Sequence, residues 1–361
     1  MTEPKQGRRS RRWVPWAAAG AALVVGGVIG GVTGAATASS SPSATSGPAT
    51  VSACRVTSVA DQVVPSVVTI AASGPSGSGT GSGEVIRSDG YILTNNHVIS
   101  VAAASGGSVD VLFADGLTEP ATITGRDPQT DLAVLKVQTS HQLKVISLGS
   151  SSSVKVGEPV VAVGAPLGLS GTVTSGIVSA LDRTVEVPGE NDRSALLVSA
   201  LQTDASINPG NSGGALVNCA SKLVGVPTAG AAVPNSGGGS IGLGFAIPVD
   251  LAKSISDEII ATGTVTHAFF GLQTVPIPPA AAEQAGLPEG LFVQAVTAGG
   301  PAATAGLRPE DVITKIDGEP ATSNIQLQEL TLTKKPGDTV SIDYTRDGQS
   351  ATATVTLAAQ P

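Results

Sequence analysis

Short β-branched runs closed off by glycine, proline, aspartate or serine recur through this chain and narrow what it can fold into. SVVTI from Ser66, GEVI from Gly83, SVDVLF from Ser108, DLAVLKV from Asp131 and PVVAVG from Pro159 each read as a strand. Their spacing, with turn signals between them, suits a sandwich or barrel better than a parallel sheet with intervening helices. The 45 glycines and 24 prolines fit many tight turns. With 41% hydrophobic and 13% charged residues the chain can build a core, and 361 residues suffice for two or three folded units.

The pattern changes once. PVDLAKSISDEIIAT, Pro248 to Thr262, puts Leu251, Ile255, Ile259 and Ile260 on one helical face, and Gly263 stops it. Beyond it come GLFVQAV, DVITKIDG, a helix-like TSNIQLQELTL and a closing strand pair around Asp347-Gly348. We therefore expect a mostly β domain over 55–262 and a mixed α/β domain over 263–361.

The N-terminal region has another purpose. Residues 1–13 carry Lys5, Arg8, Arg9, Arg11 and Arg12, and residues 14–38 are uncharged and mostly apolar. Basic first and apolar second is the pattern of a membrane helix or signal sequence, with the N-terminus cytoplasmic and the remainder outside. The length favours a retained single-pass anchor. Ala36-Thr37-Ala38 before Ser39 keeps the alternative of a cleaved signal and a secreted product. Residues 39–54, rich in Ser, Thr, Pro and Ala, read as a flexible linker. The net charge is −8 although the first segment is basic, so the rest is more acidic still and nucleic acid is excluded as a partner.

Of three histidines, His97 alone sits in a suggestive setting, YILTNNHVIS, where an apolar strand runs into small polar residues. Asp131 in TDLAVLK precedes an apolar strand, where a carboxylate can be half-buried and aimed at an imidazole. NPGNSGGAL places Ser212 among Gly210, Gly213 and Gly214, glycines that let backbone N–H groups converge on one point. In the order His97, Asp131, Ser212 these supply base, orienting acid and nucleophile, and the amides of Gly210, Asn211 and Ser212 supply the candidate oxyanion hole. No ligand spacing for a metal and no phosphate-loop lysine are present, so neither metal nor cofactor is expected.

GSGEVIRSDGYILTNNHV, TDLAVLK, TVTSGIVSAL and QTDASINPGNSGGALV together resemble the HtrA (Deg) family of exported serine proteases. The resemblance implies a chymotrypsin-like double β-barrel followed by a PDZ domain, and a serine endopeptidase acting on unfolded or misfolded exported proteins. FFGL, Phe269, Phe270, Gly271 and Leu272, resembles the carboxylate-binding loop of a PDZ domain, which implies C-terminal peptides as partners. Arg183 matches an arginine through which the family couples ligand binding to active-site order. Glu84 stands where relatives often have an apolar residue. Relatives commonly form trimers through aromatic residues near the start of the protease domain, and this chain has almost none there, which leaves a homo-oligomer open.

Six residues before Ser212, where trypsin-like enzymes keep an acid, this chain has Ser206, then Ile207. With Phe245 of GFAIP they form the expected S1 pocket, suited to small or medium aliphatic residues. Cys54 and Cys219 are the only cysteines, an even count that in an exported protein suggests one disulfide, with two buried thiols as the alternative. The rival to an enzyme is a non-catalytic PDZ-containing chaperone or scaffold.

Overall fold

A computed structural model describes residues 54–165, 171–190, 194–228 and 239–361. The expected membrane helix or signal sequence and most of the linker lie outside these residues; within them no helix is long and apolar enough to cross a membrane.

A first helix, α1 (Val56–Val63), leads into six strands: β1 (Val67–Gly74), β2 (Gly77–Val85), β3 (Tyr91–Asn95), β4 (Ser108–Leu112), β5 (Thr118–Asp127) and β6 (Leu132–Val137), with the one-turn helix α2 (Asn96–Ile99) after β3. They close into a barrel in the order β1-β2-β3-β6-β5-β4. Its interior is filled by residues that alternate along the strands, among them Val68, Ile70, Val85, Ile92, Val111 and Leu135.

The next strands are β7 (Ser147–Leu148), β8 (Pro159–Gly164), β9 (Thr172–Pro188), β10 (Ser194–Thr203), β11 (Ala215–Asn218), β12 (Lys222–Thr228) and β13 (Gly244–Pro248). Their order is β11-β8-β9-β10-β13-β12, with β11 also pairing β12, so six strands close a second barrel and β7 adds alongside β12. Helix α3 (Val249–Thr262) follows and ends at Gly263, whose φ of 83° is the left-handed cap that glycine adopts without strain. Ile255 and Ile259 of α3 pack with Leu93, Leu132 and Val134 of the first barrel and Leu197, Val226 and Ile247 of the second. The helix thereby fixes one barrel against the other.

The C-terminal domain has β14 (Ala268–Phe269), β15 (Leu272–Ile277), α4 (Pro279–Ala285), β16 (Gly290–Val296), α5 (Pro301–Thr304), β17 (Val312–Ile316), β18 (Glu319–Pro320), α6 (Asn324–Thr333), β19 (Thr339–Arg346), β20 (Gln349–Thr356) and β21 (Ala358–Ala359). Its main sheet runs β15-β16-β17-β19-β20, and β21 returns to pair β14. Ser323 and Gln326 form a capping box that starts α6. Asp347 and Gly348, with φ of 52° and 75°, make the tight hairpin turn expected between β19 and β20. Leu332 at the end of α6 packs on Leu196 and Val198 of β10.

One buried group stands out. Val85 belongs to the first barrel's interior, so by alternation Glu84 faces outward with Ser82, whose hydroxyl reaches the second barrel at Gly210. Glu84 is fully buried and neither carboxyl oxygen has a hydrogen-bond partner among the described residues. Burial holds its carboxyl well above the ordinary glutamate range. The folded state therefore keeps a proton that the unfolded chain releases, and stability falls as pH climbs from the ordinary range toward the raised value. Glu84→Leu is expected to stabilise the protein by about 1–3 kcal/mol at pH 8. The gain should shrink toward pH 4, as melting curves at both pH values will show.

Candidate active site

The loop of Ser212, the candidate nucleophile, belongs to the second barrel, but the first barrel shapes it. Ser82 of β2 donates its amide to the Ser212 carbonyl (2.8 Å) and its hydroxyl to the Gly210 carbonyl (2.7 Å). The same hydroxyl accepts the Ala165 amide, and Thr94 of β3 donates its hydroxyl to the Ser82 carbonyl. Gly213, at φ 79°, lies so close that a Cβ there would sit 2.3 Å from the Ser82 carbonyl oxygen. Glycine is required at that position by both backbone conformation and space.

Asp131 has a φ of 58°, a left-handed conformation that aspartate tolerates better than most residues. Its main-chain carbonyl accepts from the Asn96 amide and the Asn95 side chain. Its carboxylate accepts the His97 amide at 2.9 Å through Oδ1 and meets His97 Nδ1 at 2.8 Å through Oδ2. Thr228 at the end of β12 donates its hydroxyl to Oδ2 as well. An ionised carboxylate only accepts, so Nδ1 carries the ring hydrogen and Nε2 is left as the free base. The Asp131 side chain is 4% exposed and that of His97 36%, a carboxylate shielded from water beside a ring that water reaches.

Ser212 is buried, and no hydrogen bond joins it to His97 among the described residues. Such contacts commonly tighten only when substrate is bound. The Asn211 amide is donated to the Asn208 carbonyl at 2.9 Å, which corrects its expected part in the oxyanion hole. The amides of Gly210 and Ser212 have no acceptor among the described residues, so these two remain. Gly210 has a φ of 99°.

The S1 expectation is corrected at one residue. Strand β13 alternates, and Phe245 joins the core with Leu93, Leu197 and Ile247, while Gly244 lies on the other face against Ile207. A Cβ at Gly244 would sit 2.6 Å from Ile207 Cγ1. The Ser206 carbonyl accepts from Thr174 Oγ1 and Asn211 Nδ2, which ties this wall to the nucleophile loop. Arg183 is exposed on β9, its Nε donating to Gln202 Oε1 at 3.2 Å, beside β10 rather than on the nucleophile loop.

Phe269, Phe270, Gly271 and Leu272 line a groove of about 260 Å³ with Asn324, Leu327, Gln328 and Thr331 of α6. A groove between a strand and a helix is the shape in which a peptide adds as a further strand. Cys54 and Cys219 are joined by a disulfide, which decides between the two alternatives that the sequence left open. Ser82 and Thr228 were missed as site residues: Ser82 is one serine in a glycine-rich run, and Thr228 ends a strand without a motif.

Residues 81–226 match the trypsin-like peptidase domain family and residues 268–357 the PDZ domain family. The chain is 46% identical over 382 aligned positions to serine protease PepD of Mycobacterium tuberculosis, covering 99% of this chain and 81% of that protein. It is 40% identical over 293 positions to the serine protease Do-like HtrA of Lactococcus lactis, covering 78% and 71%. Among solved structures, the HtrA-type protease AlgW with a decapeptide superposes with a TM-score of 0.68 at 33% identity, covering 85% of this chain and 99% of that one.

Proposed function

Given that the chain belongs to the HtrA-type serine proteases, we propose that His97, Asp131 and Ser212 are its catalytic residues and that it degrades unfolded or misfolded exported proteins outside the cytoplasm. The observation that carries the assignment is the Asp131 carboxylate, shielded from water and engaging both the amide and Nδ1 of His97. That double contact fixes the ring plane and tautomer. Nε2 is then the base that takes the Ser212 proton as Oγ attacks a scissile carbonyl, and Asp131 stabilises the imidazolium that forms. The amides of Gly210 and Ser212 receive the oxyanion. His97 returns the proton to the leaving amine, and water repeats the cycle on the acyl-enzyme.

No acid stands at Ser206, and Ile207 against Gly244 leaves a small apolar wall, so cleavage follows small or medium aliphatic residues. Such residues are exposed in unfolded chains. The groove at Phe269–Leu272 takes C-terminal peptides and thereby regulates cleavage, and residues 14–38 tether the enzyme to the membrane. Incubating the full chain with a secreted protein in native and in reduced, alkylated form tests the reading. Only the unfolded form should be cut, with the new C-termini, mapped by peptide mass, ending in Ala, Val, Ile or Leu. Cuts after Lys or Arg would overturn the pocket assignment; equal cutting of both forms would overturn the substrate class.

A further inference from the structure

The acid of the catalytic site stands at the end of a very short turn. Asp127 ends β5, Asp131 immediately precedes β6, and Pro128, Gln129 and Thr130 alone lie between them. Asp127 is itself buried, and its carboxylate accepts the Gln129 amide and the Thr130 hydroxyl, so it organises the turn from inside. Across from it lies His267, from the segment that enters the PDZ domain. Its Nε2 is 2.9 Å from both Asp127 oxygens, and the two side chains are 5% and 3% exposed.

Two further bonds close a ring around this pair. The His267 carbonyl accepts the amide of Gln360, near the C-terminus, and Gln360 Oε1 accepts the side-chain amide of Gln129 in the same turn. The Gln129 carbonyl accepts the amide of Leu196, the β10 residue on which Leu332 of the PDZ domain packs. The acid turn is thus held from the PDZ side at two points, by His267 and Gln360, and from β10 at a third.

We propose that His267 is a positioning residue for catalysis: through Asp127 it fixes the turn that presents Asp131 to His97. The inference rests on reading Asp131 as the triad acid. Its physical basis is that Asp131 sits in a sparsely populated backbone conformation that persists only while its surroundings determine it. Without His267 the Asp127 carboxylate is left buried without a partner on that side, and the cheapest relief is to rotate toward water and draw the turn with it. A displacement of about 1 Å at a catalytic group can cost a hundredfold in rate.

The test uses the full chain, a fluorophosphonate probe to measure the rate of labelling at Ser212, and an unfolded peptide substrate for kcat and KM. His267→Ala is expected to lower the labelling rate and kcat roughly tenfold, with KM within twofold of wild type. His267→Gln, whose amide can still donate to Asp127, is expected to recover at least half of the lost rate. Exposed His141→Gln should match wild type. A cooperatively melting His267→Ala protein with wild-type labelling and kcat would overturn the proposal, as would equal losses in His267→Ala and His267→Gln. Should His267→Ala fail to fold, Asp127→Asn takes its place, with a threefold or larger loss of labelling expected and a wild-type rate counting as refutation. Asp131→Asn separates the premise: labelling undiminished there would remove the triad reading itself, whatever His267 does.

Discussion

Ser212→Ala is expected to reduce peptide hydrolysis by about 10⁴- to 10⁶-fold while leaving the melting temperature close to that of wild type. The size follows from the loss of the covalent route. Without Oγ there is no acyl-enzyme, and only the oxyanion hole and substrate binding are left to lower the barrier. Stability is spared because Ser212 is held through its carbonyl, which accepts the Ser82 amide, and alanine keeps that carbonyl. The variant should also take no fluorophosphonate label while still binding C-terminal peptides at the groove of Phe269–Leu272. Turnover by Ser212→Ala above a few per cent of wild type would mean that another nucleophile does the chemistry.

The second large effect concerns folding. The Cys54–Cys219 bond spans 165 residues and ties the entrance of α1 to the turn between β11 and β12. Val59 and Val63 of α1 pack with Val161, Val217 and Leu223 of the second barrel, so the bond fastens a helix whose own contact area is small. In the chain-entropy account, closing a loop of this length contributes roughly 3–5 kcal/mol. The double variant Cys54→Ser/Cys219→Ser should accordingly melt on the order of 10 °C lower. Reductant should lower wild type to the same point and leave the variant unmoved. A melting temperature that ignores both reductant and substitution would show that α1 stays docked by packing alone.

Much of the fold was legible because local and global signals agree. The runs at 66, 108, 131 and 159 start within a residue of β1, β4, β6 and β8, although β1 extends four residues past its run, and the helix over 248–262 ends at the predicted Gly263. The glycine-rich stretch Gly77–Ser82, ahead of the strand read from Gly83, gave no strand signal, yet it forms most of β2. The glycines are there because side chains would collide: a Cβ at Gly79 would lie 2.6 Å from the Val98 carbonyl, and at Gly81 the same distance from the Val98 side chain. Tertiary crowding, which sequence pattern does not carry, overrode propensity. At the site, the motifs around His97 and Asp131 pointed to residues that the fold brings into contact, and Ser82 of the same barrel holds the Ser212 carbonyl. The choice of Phe245 as a pocket residue failed because strand membership was clear while its facing was not. The sequence around His267 gives no signal of its acid, because Asp127 is 140 positions away and only folding brings them together.

Ser82 gives the protein a check on its own maturation. The carbonyls of Gly210 and Ser212 in one barrel are held by a serine from the other, and His97 and Asp131 also come from that other barrel. Neither barrel alone holds all of these residues, so a half-folded chain lacks the assembled candidate site. Cleavage is thus expected only from molecules in which both barrels have folded and docked.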